Sequence, residues 1–432
     1  MTTNYNNQDL IDFIYAAPSP FHAVEQMLQR LQAAGFTLLH EHQAWQLQIG
    51  GKYCVIRNGS SLIAFIYGKH NMQEHGIRMV GAHTDSPCLR LKPEADLYRH
   101  GYWQVGVEVY GGALLAPWFD RPLGLAGRVS YLDAQGLLQH CLVNVDHAIG
   151  MVPSLAIHLD REVNQNRSIN AQNELPVVLG MLDHNTTRPS IKAYLKEVIH
   201  QTNSAAQVDQ ILDYELSFYD LDKGLLYGAE QAFIASARLD NLLSCYIGLH
   251  AMLAGDDSQS CLLVCTDHEE VGSASAVGAQ GSMLDDFLHR LLPDHESFVR
   301  TVQQSMMISA DNAHAIHPNF AERHDGNHGP RINAGPVIKV NANQRYASNS
   351  QTQALYRAIC QRENIPVQSF VVRSDMACGS TIGPIAATKL GIKTLDIGVP
   401  TLAMHSIKET AGSHDCAHLL RSLSAFFAMA NV

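Results

Sequence analysis

The segment Cys261-Leu-Leu-Val-Cys-Thr-Asp-His-Glu-Glu-Val-Gly-Ser273 runs from an apolar stretch of strand length straight into three acids and a histidine. A buried strand that ends in this way delivers side chains into a site. Neighbouring residues on an extended backbone point in opposite directions. Glu269 and Glu270 can therefore divide two jobs, one holding a metal ion and the other staying free as a base. An isolated Glu-Glu pair is usually a solvated loop, so the weight rests on what accompanies it. Met79-Val80-Gly81-Ala82 reads as a strand leading to His83-Thr84-Asp85, an imidazole with a nearby carboxylate to orient it from behind. Asp240 follows the extended Phe233–Arg238 run and reads either as a helix N-cap or as a ligand. Asp311 ends another apolar strand, with His314 and His317 just beyond, and His405 follows a strand and a loop containing Pro400. His83, Asp240, Glu270, Asp311 and His405, with Glu269 spare, give two imidazoles and three carboxylates. That set suits a pair of divalent metal ions bridged by one carboxylate, each keeping a place for water.

These residues need a scaffold that brings strand ends together. Ser19-Pro20 before FHAVEQMLQRLQAAG predicts a helix with Ser as N-cap, Pro at its first position and Gly35 as its stop. Strand-like runs follow at YCVIR and SLIAFIYG. From about Asp96 to Gly228 short β-type segments are punctuated by glycines, with little helical period before residue 190. The α/β pattern resumes at Ala232, and LLSCYIGLHAMLAG predicts a helix buried on most faces, followed by the CLLVC strand. Open α/β sheets place their sites at the carboxyl ends of such strands. The expected class is α/β: a central mixed sheet flanked by helices (1–95 and 232–432), interrupted by a β-rich domain (96–231) that serves as lid or oligomerisation module. Within that insert, Ser154-Leu-Ala-Ile-His-Leu-Asp160 reads as an apolar strand in which His158 is a buried core histidine.

At 432 residues the chain has room for two or three domains. Charged residues are 16% and hydrophobic ones 46%, and a charged fraction below the usual ~25% fits a surface partly buried in an oligomer. The net charge of −11, without a basic run, argues against nucleic acid as a partner. No apolar run approaches the ~18 residues that span a bilayer, and the polar amino-terminal segment lacks the apolar core of a signal peptide. The nine cysteines are odd in number, scattered and without a CxxC, which reads as reduced thiols in the cytoplasm.

With the residues set out, the chain resembles the M18 metallopeptidases, the aspartyl aminopeptidases. The resemblance is carried in order by PSPFHAV, GAHTDSPCLRLKP, WFDRPLGLAGRV, AIHLDR, SARLDN, DHEEVGS, DNAHAIHPN, GPVIKVNANQRYA, CGSTIGPI and LAMHSIKE, over nearly the whole chain. It implies a two-zinc site, with one metal held by His83 and Glu270 or Asp311, and the other by the remaining carboxylate and His405. Asp240 would bridge them, Asp85 would be the auxiliary acid behind His83, and Glu269 the general base. The mixed N/O ligands also accept manganese or cobalt. The resemblance further implies a catalytic domain interrupted by a β-barrel-like domain, and assembly into tetrahedral dodecamers. The histidine matching His158 would then enter a neighbouring subunit's active site, which reverses the reading of His158 as core. Asn312 stands where the pattern leads one to expect methionine, and Ala116-Pro117 where it leads one to expect more polar residues. Neither touches an expected ligand.

The activity so implied is removal of N-terminal residues, acidic ones above all, from peptides with a free amino terminus. Lys339 and Arg345 are the candidate cations for an acidic first side chain. Two other readings stand beside it: a deacylase or carboxypeptidase with the same two-metal chemistry, distinguished by whether a blocked N-terminus abolishes cleavage, and an inactive assembly or binding protein, which would have lost Glu269 or a ligand.

Overall fold

The computed structural model describes residues 5–182 and 188–432; the first four residues of the polar amino-terminal segment lie outside them. The chain divides into two compact units, one made of Met1–Ser86, Gly224–Met404 and Lys408–Val432, the other of Pro87–Lys223 with His405–Ile407.

The first unit is built on a nine-stranded mixed sheet. Its middle is a parallel block in the order Ser260–Thr266, Ile77–His83, Met306–Ala310, Lys393–Gly398. These strands read as nearly continuous apolar runs because both faces are covered. Alternate side chains divide between two cores: Cys261, Leu263, Cys265, Val80 and Ala82 fall in one, and Leu262, Val264, Ile77 and Met79 in the other. Helix Leu239–Leu253 is buried on most faces because it packs against this sheet and against helix Asp415–Phe427. Helix Pro20–Ala33 has the ends its sequence predicts. The Ser19 hydroxyl accepts the His22 N–H, Pro20 opens the first turn, and Gly35 takes a left-handed φ of +84° just past the end. A second sheet of five short strands carries Phe233–Ser236 beside Glu409–Gly412 and also includes Pro400–Leu402. Pro400 thus opens a short strand, where the sequence reads as loop.

The second unit is a six-stranded antiparallel sheet whose longest strands are Cys88–Arg99, Leu123–Asp133, Leu138–Gly150 and Val208–Asp220. Met151, just past one edge strand, exchanges both backbone hydrogen bonds with Val178 of the other edge strand, at 3.1 and 2.9 Å. This bridge closes the sheet on itself around an apolar core, so the unit is barrel-like.

One expectation fails here. The segment from Ser154 to Asp160 is no strand but an exposed turn, and His158 is exposed within it. The Ser154 N–H is taken by the Asp120 carboxylate at 2.8 Å, and the chain reverses through an Ala156–Leu159 hydrogen bond at 2.8 Å. Leu155, Ile157 and Leu159 are 61%, 47% and 75% exposed. An apolar sequence makes a buried strand only where a second layer covers it. All nine cysteines are free thiols, and no helix among the described residues is long and apolar enough to cross a membrane.

Candidate metal centre

The parallel block aligns its strand ends. Thr266 lies beside His83, and Gly81 beside Ser309, so His83, Asp311 and the turn after Thr266 emerge at one edge. In that turn His268, Gly272 and Ser273 all have positive φ. Gly272, at +95°, supplies the conformation that closes the single 3-10 turn Glu269–Val271. Asp240 arrives from the smaller sheet, just past Ser236, where the helix has not yet taken up helical backbone angles. The Asp240–Asn241 peptide is cis.

The result is one imidazole facing a ring of carboxylates. One ligand atom from each of His83, Asp240 and Glu270 lies within 4.8 Å of the others. His83 Nε2 is 3.4 Å from Asp240 Oδ1, 3.6 Å from Asp311 Oδ1 and 4.0 Å from Glu269 Oε2. On its other side His83 Nδ1 meets the Asp85 carbonyl oxygen at 3.1 Å and Asp85 Oδ1 at 3.3 Å. With Nδ1–H donating to Asp85, Nε2 keeps its lone pair for a cation. Asp85 has a second task that the sequence reading missed: its two carboxylate oxygens accept the N–H groups of Glu269 and Glu270, each at 3.1 Å. One fully buried acid therefore sets the imidazole and the Glu-Glu turn together.

Further supports also went unread in the sequence. Glu409, buried, accepts the Asp240 N–H at 2.8 Å, and Ser86 donates to the Asp240 carbonyl at 2.6 Å. Cys245 Sγ lies 3.0 Å from the His83 carbonyl oxygen, and Asn241 donates to the Ala310 carbonyl at 2.9 Å. A glutamate in a short strand carries no local sign that it will hold a backbone N–H 169 residues away.

Crowding of buried acids shows in their proton affinities. Burial pushes Glu269 up to about 7; His83 opposes this, while Asp311, Asp240 and Asp85 add to it. Burial and then Asp240 raise Glu270 well above the carboxylate range. Burial works against a charged His83, but Asp240, Asp311 and Asp85 outweigh it and hold the ring's pKa high. Asp311 goes the other way. Burial would raise it, yet the Lys339 ammonium, with Nζ 3.2 Å from Asp311 Oδ2, and then His83 keep it well below its usual value. Several buried carboxylates around one imidazole nitrogen form the N/O donor set of a divalent cation such as zinc, manganese or cobalt, so the residues fit one.

The family model described as aminopeptidase I zinc metalloprotease (M18) matches residues 13–427. A protein of Azotobacter vinelandii named "Probable M18 family aminopeptidase 2" is 58% identical over 421 residues, 98% of this chain and 97% of that protein. One of the same name from Pseudomonas fluorescens is 56% identical over 422 residues, 98% of each chain. Among solved structures, a chain of the Ape4 and Nbr1 complex superposes with a TM-score of 0.93 at 38% identity, covering 97% of this chain and 85% of that one. The mApe1 dodecamer of S. cerevisiae gives 0.83 at 27% identity, covering 98% and 96%.

The chain belongs to the M18 family of aminopeptidases. It is accordingly a metal-dependent aminopeptidase, a hydrolase of the zinc metalloprotease type. The remaining residues expected in an M18 site fall as follows. Lys339 is buried and committed to Asp311, with its ammonium also 5.5 Å from the centre of the Tyr346 ring. Arg345, one residue from Tyr346, is exposed. His405 packs with the second unit, where its Nδ1 lies 3.2 Å from the Gly112 carbonyl oxygen.

Proposed function

We propose that the enzyme uses two divalent metal ions to hydrolyse the first peptide bond of peptides that begin with an acidic residue. The observation that carries the reading is His83 Nε2 facing Asp240, Asp311 and the Glu-Glu turn in a chain of this family. His83, Asp240, Glu270 and Asp311 are the ligands supported by their convergence. His405 is assigned as the second imidazole on its place in the matched LAMHSIKE motif. When bound, the cations supply Lewis acidity and make water a nucleophile near neutral pH.

The chain's own residues do the rest. Glu269 takes a proton from the attacking water and hands it to the leaving amine, a role served by a carboxyl with a pKa near the working pH. Asp85 holds the His83 ring and the turn that carries Glu269, so that base and ligand keep a fixed separation. Glu409 and Ser86 fix the backbone of Asp240. Lys339 and Arg345 are the cations proposed to favour an acidic first side chain. An ammonium has three donors, so the bond from Lys339 to Asp311 leaves it capacity for a second acid.

The enzyme is also proposed to work as a homo-oligomer in the cytoplasm, with His158 of one subunit reaching a neighbour's active site. Support comes from the exposed Leu155, Ile157 and Leu159 that flank His158, and from the dodecamer that one relative forms. Dipeptides differing only in their first residue, each with a free or acetylated amino terminus, test the substrate reading. Preference for Asp and Glu with loss on acetylation is expected. Equal rates on Asp and Ala would remove the acidic preference, and cleavage of the acetylated series would remove the aminopeptidase mechanism.

A further inference from the structure

Asp396 lies in strand Lys393–Gly398 and is completely buried. A buried carboxylate is expensive unless its oxygens are satisfied. Its closest partners here are an N–H and a hydroxyl, with the Lys339 ammonium a weaker electrostatic neighbour. Asp396 Oδ2 accepts the Ala347 N–H at 2.6 Å, and Oδ1 accepts the Thr381 hydroxyl at 2.6 Å. These donors belong to two different irregular segments, 341–349 and 372–381. Ser348 adds a clasp to the first of them: its hydroxyl accepts the Asp396 N–H at 3.0 Å. The two segments also meet directly, through the Ser380 hydroxyl and the Arg345 carbonyl at 3.1 Å. A Cβ on Gly383 would stand 2.3 Å from Asp396 Oδ1, so the absence of a side chain there makes room for the carboxylate.

The paired segments adjoin the metal centre through one residue. Tyr346, buried in the first segment, lies beneath the Lys339 ammonium, and Lys339 bonds to Asp311. Cys378 of the second segment packs on the same small core as Tyr346. From these contacts we propose that Asp396 is a positioning residue for substrate specificity. It locks segments 341–349 and 372–381 into one rim beside Asp311, which receives the substrate's first side chain. The assignment of that rim to the first side chain rests on the function proposed above; the locking does not.

Two kinds of readout separate these. Asp396→Ala removes both acceptors. Hydrogen exchange should then rise in 341–349 and 372–381 but not in 266–272, with metal content unchanged. On the dipeptide that the wild type cleaves best, KM should rise about 10-fold while kcat changes less than about 3-fold, because misplacement of a binding wall acts on binding before chemistry. Asp396→Asn should restore most of this, since Asn can accept from Ala347 while donating to a turned Thr381 hydroxyl. If Asp396→Ala does not fold, Thr381→Val cuts one arm only and should loosen 372–381 with a KM rise of a few-fold, about 3 to 5. Unchanged exchange in both segments would overturn the proposal, as would loosened segments with an unchanged KM, or a fall in kcat that follows lost metal. If the wild type cleaves Asp- and Ala-initiated peptides equally, the acidic preference is wrong, but exchange and KM on its best substrate still decide the role of Asp396.

Discussion

Replacing Lys339 by methionine keeps most of its volume and removes the cation that faces Asp311. The pair is 3.2 Å apart and both residues are buried, Lys339 at 3% exposure. Breaking a buried pair from one side costs about 3–5 kcal/mol, because the surviving charge is stranded. A second route to the magnitude gives a similar figure. The stranded Asp311 can escape by taking a proton, which at pH 7 costs about 1.4 kcal/mol per unit above an ordinary pKa near 4, or roughly 4 kcal/mol. The sign follows from Asp311 being held low in the folded wild type. Its stabilising contribution is present in full above the ordinary pKa of ~4 and is lost only as pH falls below that, towards the lowered folded value. The metal-free variant should therefore melt well below metal-free wild type at pH 7, and the gap should narrow towards pH 4 as the stranded Asp311 takes its proton at less cost. A divalent cation supplies Asp311 with a new counter-charge, so saturating zinc should narrow the gap at pH 7 as well. Differential scanning calorimetry of chelated and zinc-loaded protein at several pH values reads all three effects. A metal-free variant that melts with wild type at pH 7 would mean that Lys339 does not stabilise Asp311, as would a gap that grows on acidification.

Glu269→Gln should keep its metal by elemental analysis while kcat falls about 10²–10⁴-fold; metal loss instead would mean that Glu269 and Glu270 have exchanged roles. Asp85→Ala should weaken metal binding about 10–100-fold by competition with a chelator, and unchanged affinity would deny it the task of setting His83. Asp415 is pushed up to about 6 by burial, against the N–H groups of Asn333 and Gly335 that favour its charge. A raised folded pKa stabilises at low pH and loses that contribution as pH rises through about 6. Wild type should thus gain up to about 3 kcal/mol from this group between pH 7 and 4, a gain that calorimetry should find absent in Asp415→Asn. His158→Phe should impair turnover, and mixing it with Glu269→Gln should give more activity than the two variants alone if His158 is donated between subunits; a mixture no more active than its parts would count against it.

The sequence announced what sits at strand ends and little of what holds it there. His83, Asp311 and the Glu-Glu turn were legible because each closes an apolar run, and a parallel block must bring such ends to one edge. Asp240 was ambiguous between cap and ligand, and only the tertiary placement of its strand resolves where it points. Glu409 and Asp396 were invisible, since each does its work by accepting hydrogen bonds from segments distant in sequence. Lys339 reads from the sequence as a candidate cation for an acidic first side chain, and its pairing with Asp311 appears only in the fold. The segment around His158 departs from its expected strand because apolar composition is not burial. In the described chain those side chains face outward, so composition alone fixed neither strand nor core.

If a cation bound by His83 and the surrounding carboxylates drives aminopeptidase activity, cleavage must follow the metal. The enzyme is stripped with a chelator and zinc is returned in steps, while an Asp-initiated dipeptide is followed beside its acetylated twin, for wild type and His83→Ala. Wild-type activity should vanish on stripping and return with zinc on the free peptide only, and His83→Ala should stay inactive at zinc levels that saturate wild type. Activity that survives complete removal of metal, or full recovery in His83→Ala at the same zinc concentration, would contradict metal-driven cleavage.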